Sequence, residues 1–375
     1  MQLTLLAFFI IFSLFLPETS PAKLSGECYK CHTMHDSQDG SKIARDGTAI
    51  GWDGNNITGG SNQGPMNFLL ITNCVGCHTS KTNDETIHDP GGLNIPIVFN
   101  TGGYPTTNAL AGGNFFWTSQ GSTYDAYGHN VYGIAAKDTM LTVAPGRQGG
   151  TCGSNSCHYS LANAPLAQYD NKAGCQGCHV YTSHHKNKGW YRFLKGHSDP
   201  PFDPGTENNG DYVIGKGDTD WEKTKGSEDH NWYKGTSVPY KSPGSSTHAL
   251  ETYKTITSFC SGCHGIFHNQ DTISGTVYAS PWKRHPTDIL LPTTGEYSAY
   301  KPADVGGYSV EAPVAWLDPL NPQAGQAVVM CLSCHRPHGS PYPDMLRWDY
   351  STMIAGDDTK SGGCFTCHTI KNDAP

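Results

Sequence analysis

Six segments of the 375-residue sequence read Cys-x-x-Cys-His: Cys28/Cys31/His32, Cys74/Cys77/His78, Cys175/Cys178/His179, Cys260/Cys263/His264, Cys331/Cys334/His335 and Cys364/Cys367/His368. Two thiols followed at once by an imidazole form the attachment pattern of c-type haem. The sulfurs add to the porphyrin vinyl groups and the histidine ligates the iron. The spacing is short because all three groups must meet one rigid ring. Redox thiol pairs and zinc or iron–sulfur ligation do not require a histidine after the second cysteine every time. Six repetitions therefore point to haem.

The remaining cysteines, Cys152 and Cys157, precede His158 in CGSNSCH. Gly153, Ser154, Asn155 and Ser156 are small, turn-forming residues that can bulge outward while both sulfurs stay near the ring. This gives a seventh covalent haem c and uses all 14 cysteines. The competing reading is a disulfide or reduced pair with His158 on the surface.

Composition agrees with a cofactor-filled interior. The chain holds 44 Gly and 24 Pro, and only 36% of its residues are apolar. A chain of this length can bury a large core, but this one is short of side chains to fill it. Haem supplies the missing apolar surface, so folding and cofactor attachment are expected to be coupled. With 25 basic against 33 acidic residues and a net charge of −8, no nucleic-acid role is supported.

Residues 1–22 read as a signal peptide: an apolar run from Leu3 to Leu16, then small residues Ser20 and Ala22. The run is too short to span a bilayer, and no later stretch is long and apolar enough to do so. Residues 23–375 then form one heptahaem cytochrome c domain, secreted to the cell surface or extracellular space. The periplasm is the less favoured location.

Seven of the 18 histidines are proximal ligands on this reading, and eleven remain. That exceeds the seven needed to close the second face of every iron. An iron held by two imidazoles has no vacant position for substrate, so its natural task is electron transfer. The candidate distal ligands are His35, His129, His185, His197, His230, His268, His285 and His338. His35 and His338 sit three residues beyond a proximal histidine and can reach a neighbouring iron. His268 follows His264 by four residues, one helical turn. His184 and His185 are adjacent, so one of them ligates. His88 and His248 lack an aromatic or constrained setting and are set aside as surface or propionate-bonded residues. The charges of Lys186, Arg284 and Arg336 suit haem propionates, and equally suit solvated surface.

No internal repeat longer than the motifs is present. The fold class expected is mostly coil and turns, with short helices and a few short strands wrapped around a continuous haem stack. Ile95 to Phe99 can form a strand. A helix capped by Ser246 or Thr247, with Ala249, Tyr253, Ile256 and Phe259 at helical spacing, delivers Cys260. Pro322 starts a second such turn carrying Ala327, Val328 and Cys331. Residues 200–245 read as a charged surface loop, with Trp221, Trp232 and Tyr233 as anchors. The short intervals from Cys157 to Cys175 and from Cys334 to Cys364 favour close haem pairs.

The chain resembles the multihaem c-type cytochromes of metal-reducing bacteria and archaea, particularly those that form extracellular filaments. The resemblance rests on the Cys-x-x-Cys-His series and on Cys331 to Gly339 (CLSCHRPHG), which looks like a doubled-motif signature. It also rests on Gly112 to Trp117 (GGNFFW), Gly128-His129-Asn130 and Trp282 to Pro286. It implies bis-histidine coordination, stacked haems and a homopolymer with head-to-tail contacts. His35 is the implied donor to an iron in the next subunit. Other redox proteins or extracellular acceptors are the implied partners. The alternatives are a multihaem oxidoreductase, and a monomeric periplasmic or surface electron shuttle.

Overall fold

The computed structural model describes residues 74–89, 94–141, 143–147, 161–165, 173–179, 191–194, 212–237, 250–268, 284–356 and 360–371, with the backbone of six two-residue strands between Ser37 and Asn62. Residues 1–22, Cys28, Cys31, His32, His35, Cys152, Cys157, His158, Lys186 and Trp282 lie outside the described residues, as do His184, His185, His197 and His248. Turns and bends carry most of the described chain. Its longest α-helix is the six-residue Ile256–Ser261 and its longest strand the three-residue Ala327–Val329. No described helix is long and apolar enough to cross a membrane.

The largest ordered element is an antiparallel sheet in which Ala327–Val329 lies between Ile289–Leu290 and Ala315–Trp316. Successive side chains of a strand face opposite sides. Accordingly Ala315 and Val328 join a cluster with Tyr191, Val213, Tyr233, Leu250 and Met330, while Val314, Trp316 and Ala327 join Leu291, Tyr300 and Tyr308 on the other face. Both faces are covered, so Trp316, Val314, Ala315 and Val328 are all fully buried. A third cluster gathers Val75, Phe99, Phe115 and Val131.

Several local expectations are corrected. The helix leading to Cys260 is two helices, α1 (Leu250–Tyr253) and α2 (Ile256–Ser261). Lys254 turns left-handed between them at φ +56°. Thr255 then caps α2, its side chain accepting from Ser258 N–H at 3.0 Å. Apolar spacing at 253, 256 and 259 continues across this break, which is why the pattern reads as one helix. Ala327 and Val328, expected in a helical turn, are the middle of the sheet, where β-branched residues are covered on both faces. The expected strand from Ile95 to Phe99 is two short ones, Ile95–Pro96 and Phe99–Asn100.

The 200–245 segment is no surface loop over residues 212–237. Val213, Asp218, Glu222, His230, Asn231 and Tyr233 are all buried there. Its charges are absorbed by main chain: Asp218 accepts from Asp220 and Glu222 N–H at 3.0 and 2.9 Å, and Glu222 accepts from Asn231 N–H at 2.8 Å. Of its expected anchors, Tyr233 enters the core, while Trp232 and Trp221 are half-buried. Arg336 is likewise no solvated surface residue. It is buried, donating to Leu110 O at 2.9 Å and pairing with Glu311 at 3.0 Å.

Candidate haem-binding sites

Each described Cys-x-x-Cys-His motif is a single helical turn. The histidine N–H donates to the carbonyl of the first cysteine in all five: His78 to Cys74 at 3.0 Å, His179 to Cys175 at 2.8 Å, His264 to Cys260 at 3.0 Å, His335 to Cys331 at 3.1 Å and His368 to Cys364 at 3.0 Å. In four of the turns the second cysteine also donates its N–H to the first. Cys77 does so to Cys74 O at 3.1 Å, and Cys263 to Cys260 O at the same distance, with Cys178 and Cys334 closing their turns alike. Side chains at i, i+3 and i+4 share a helix face. The turn therefore presents both thiols and the imidazole on one side, the triad a rigid porphyrin needs. Cys77, expected to carry a thioether to a haem vinyl group, is in this structure a half-buried cysteine outside any disulfide, as are the other nine described attachment cysteines. Half-burial suits the expectation, because a sulfur that is to meet a ring edge cannot be sealed in the protein core.

The five described motifs lie next to one another in chain order. The thiols of Cys74 and Cys175 touch, and contact together with burial raises the Cys175 pKa above the ordinary thiol range. Cys260 contacts Cys331 and feels the charge of Cys178. Burial pushes the Cys334 thiol up to about 12, helped by nearby Cys364 and Cys367. Each described attachment turn thus neighbours the next described one along the chain.

The histidines are oriented through Nδ1. Main-chain carbonyls lie within hydrogen-bond distance of this atom in His78 (Pro96 O, 2.7 Å), His179 (Arg192 O, 2.9 Å), His264 (Pro145 O, 2.7 Å) and His335 (Asp344 O, 2.7 Å). The same holds for His129 (Pro337 O, 2.7 Å), His230 (Asn231 O, 2.8 Å) and His285 (Pro286 O, 3.0 Å). A carbonyl can only accept, so the proton sits on Nδ1 and Nε2 keeps its lone pair, the atom a metal takes. In His230, Nε2 is buried with no hydrogen-bond partner among the described residues, and its ring stacks on Tyr308 at 3.5 Å.

Three pairs of these rings share one separation. Centroids are 6.0 Å apart for His179 and His338, 6.1 Å for His129 and His264, and 6.2 Å for His285 and His368. Two metal–imidazole bonds of about 2 Å each, end to end, plus the inner half-width of each ring, come to about 6 Å. Each pair joins one motif histidine to one histidine from elsewhere in the chain, so the donors fit a six-coordinate iron. Burial lowers the pKa of His129, His179, His264 and His335 and so favours the neutral imidazole that binds metal. Burial, with His179, His129 and His78 nearby, pushes His338 down to about 3.

Two glycine-rich segments hold this cluster together. Gly113 and Gly339 form a backbone bridge, His338 N–H donates to Gly112 O at 2.7 Å, and Asn114 N–H donates to Gly339 O at 3.1 Å. The approach is too close for a side chain, and Gly113 has φ +82°. Asn114 fixes the local turn by accepting from Asn100 and Phe116 N–H at 3.1 and 3.0 Å. Residues 112–117, 128–130 and 331–339, separate in sequence, are therefore one structural unit around His129, His335 and His338.

Two features escape the sequence reading. His88, set aside there, is buried, with Nδ1 2.9 Å from Glu85 Oε1. A carboxylate on Nδ1 is how metal-bound histidines are commonly held; Glu85 three residues earlier is the signal available in sequence. Arg347 is also buried, donating to Leu332 O at 2.6 Å and Val310 O at 3.1 Å. His268 ends helix α3 (Gly265–His268), and only its main chain is described.

The family of the doubled CXXCH motif matches residues 323–373, which hold the two C-terminal attachment turns. The chain is 26% identical over 373 residues to C-type cytochrome OmcS of Geobacter sulfurreducens, covering 86% of this chain and 78% of that protein. Among solved structures, the Outer Membrane Cytochrome S Filament from Geobacter sulfurreducens aligns at 18% identity and TM-score 0.49, over 95% of this chain and 92% of that one. The OmcS nanowires from the same organism align at 19% identity and TM-score 0.40, with the same coverage.

Proposed function

We propose that this multihaem c-type cytochrome, a relative of C-type cytochrome OmcS, is an extracellular electron conduit with seven covalent bis-histidine haems rather than a substrate-converting enzyme. The single observation that carries the reading is the common separation of 6.0 to 6.2 Å in three imidazole pairs whose motif members belong to three different attachment turns. An iron gripped on both faces offers no place for a substrate, and its bound haem supplies a one-electron couple.

In this reading the paired cysteines of every motif, Cys74 with Cys77 as much as Cys152 with Cys157, form the thioether bonds. His32, His78, His158, His179, His264, His335 and His368 are the proximal ligands. His338 serves the motif at Cys175, His129 the motif at Cys260, and His285 the motif at Cys364. Four distal positions then remain, and His35, His185, His197, His230, His268 and His88 are the candidates for them. The main-chain carbonyls of Pro96, Pro145, Arg192 and Asp344 hold each Nδ1 proton and fix the ring plane, so the ligand set is preorganised. Residues 1–22 direct export and 23–375 form the single haem-bearing domain.

OmcS has solved assemblies described as a filament and as nanowires. We extend that organisation to this chain as a head-to-tail homopolymer, with His35 as the donor to the neighbouring subunit. Contacts that do not close on themselves give an open helix. Electron cryo-microscopy of native material tests it. Filaments with unbroken haem density through successive subunits are expected. A protein that stays monomeric at high concentration overturns the polymer, and turnover of a small substrate by the purified protein, lost when one haem site alone is altered, overturns the conduit.

A further inference from the structure

His78, His179, His264 and His335 all have Nδ1 on a main-chain carbonyl. His368 differs, facing Oε2 of Glu296 at 3.6 Å. At that distance the contact is electrostatic rather than a hydrogen bond. Oε2 is shut off from solvent, and the Tyr297 hydroxyl donates to the Glu296 carboxylate. The placement is held from the main chain: Thr369 N–H and hydroxyl both donate to Glu296 O, at 2.7 and 2.6 Å. Tyr297 packs its ring 5.1 Å from that of His368. The cation beside Glu296, Lys371 Nζ at 3.2 Å, has its side chain 58% exposed, so water screens it far more than it screens the carboxylate at 22%.

We infer that Glu296 is a positioning residue that distinguishes the C-terminal haem from those whose motif histidines rest on main-chain carbonyls, giving it a lower reduction potential than a carbonyl-supported histidine would. The inference rests on His368 being a haem ligand, as proposed above. A negative charge beside Nδ1–H makes Nε2 a stronger donor, and a stronger donor favours the ferric over the ferrous iron. Such a site passes electrons on rather than holding them. Its described neighbour is the motif at Cys331, whose Cys334 lies beside Cys364 and Cys367.

The test is a spectroelectrochemical titration of the full-length, haem-loaded protein against E296Q and K371Q. In E296Q one one-electron component is expected to move upward, by roughly a tenfold change in its reduction equilibrium, about 59 mV. In K371Q, which removes the counter-charge from an exposed position, the same component is expected to move downward. E296D, which retains the charge, is expected to lie between E296Q and the unsubstituted protein. Opposite signs from two neighbouring substitutions are not produced by a merely structural role. Unchanged midpoints, or shifts of the same sign, with haem content intact, overturn the inference. If E296Q fails to load haem, K371Q decides it alone. Haem content and the low-spin spectrum of the unsubstituted protein test the ligand reading separately.

Discussion

Gly113 and Gly306 have nearly the same backbone conformation, φ +82° and +80°, but opposite surroundings. An alanine methyl at 306 meets nothing within 4 Å. At 113 it lands well inside contact distance of the Gly339 carbonyl and 2.9 Å from Arg336 Cβ, against an ordinary contact of 3.4–4 Å. Both substitutions carry the left-handed penalty of about 1–2 kcal/mol. G113A must also pull the two strands of backbone apart, loosening the bonds from His338 N–H to Gly112 O and from Asn114 N–H to Gly339 O. Each buried group left unpaired costs about 1–3 kcal/mol, so G113A is expected to cost roughly 3–8 kcal/mol in all. Denaturant unfolding of the haem-loaded variants, followed in the Soret band, measures the difference. Because the same backbone carries His338, G113A is also expected to reduce the low-spin fraction, which G306A leaves intact. Equal costs within about 0.5 kcal/mol would refute the close approach.

Three further outcomes follow from the same geometry. H338A removes the ring opposite His179, so about one haem equivalent per chain is expected to become high-spin and to bind carbon monoxide, read by titration in the visible spectrum. R347M leaves the carbonyls of Leu332 and Val310 without their buried donor, and a loss of roughly 3–5 kcal/mol in denaturant unfolding is expected. T255A deletes the cap that accepts from Ser258 N–H, and about 1 kcal/mol is expected to be lost in the same assay.

The attachment turns were legible in the sequence because they are local: Cys74, Cys77 and His78 share one helical turn, as do Cys260, Cys263 and His264, and nothing distant is needed to recognise them. The coil-rich fold was legible too, from abundant glycine and proline and scarce apolar residues. The pairing of imidazole rings was not. His129 is oriented by a carbonyl 208 residues away at Pro337, and no periodicity carries such a contact. Residues 212–237 were misread because charge alone suggests solvent, whereas Asp218 and Glu222 are buried by satisfying main-chain N–H groups. His88 was missed because its value lies in its partner, Glu85, rather than in its own neighbourhood.

In the proposed conduit every iron is held between two imidazoles, which electron paramagnetic resonance of the fully oxidised native protein, with total haem counted in the same sample, can decide. Low-spin signals that account for all the haem, at seven per chain, are predicted. A persistent high-spin signal worth one haem or more would contradict it.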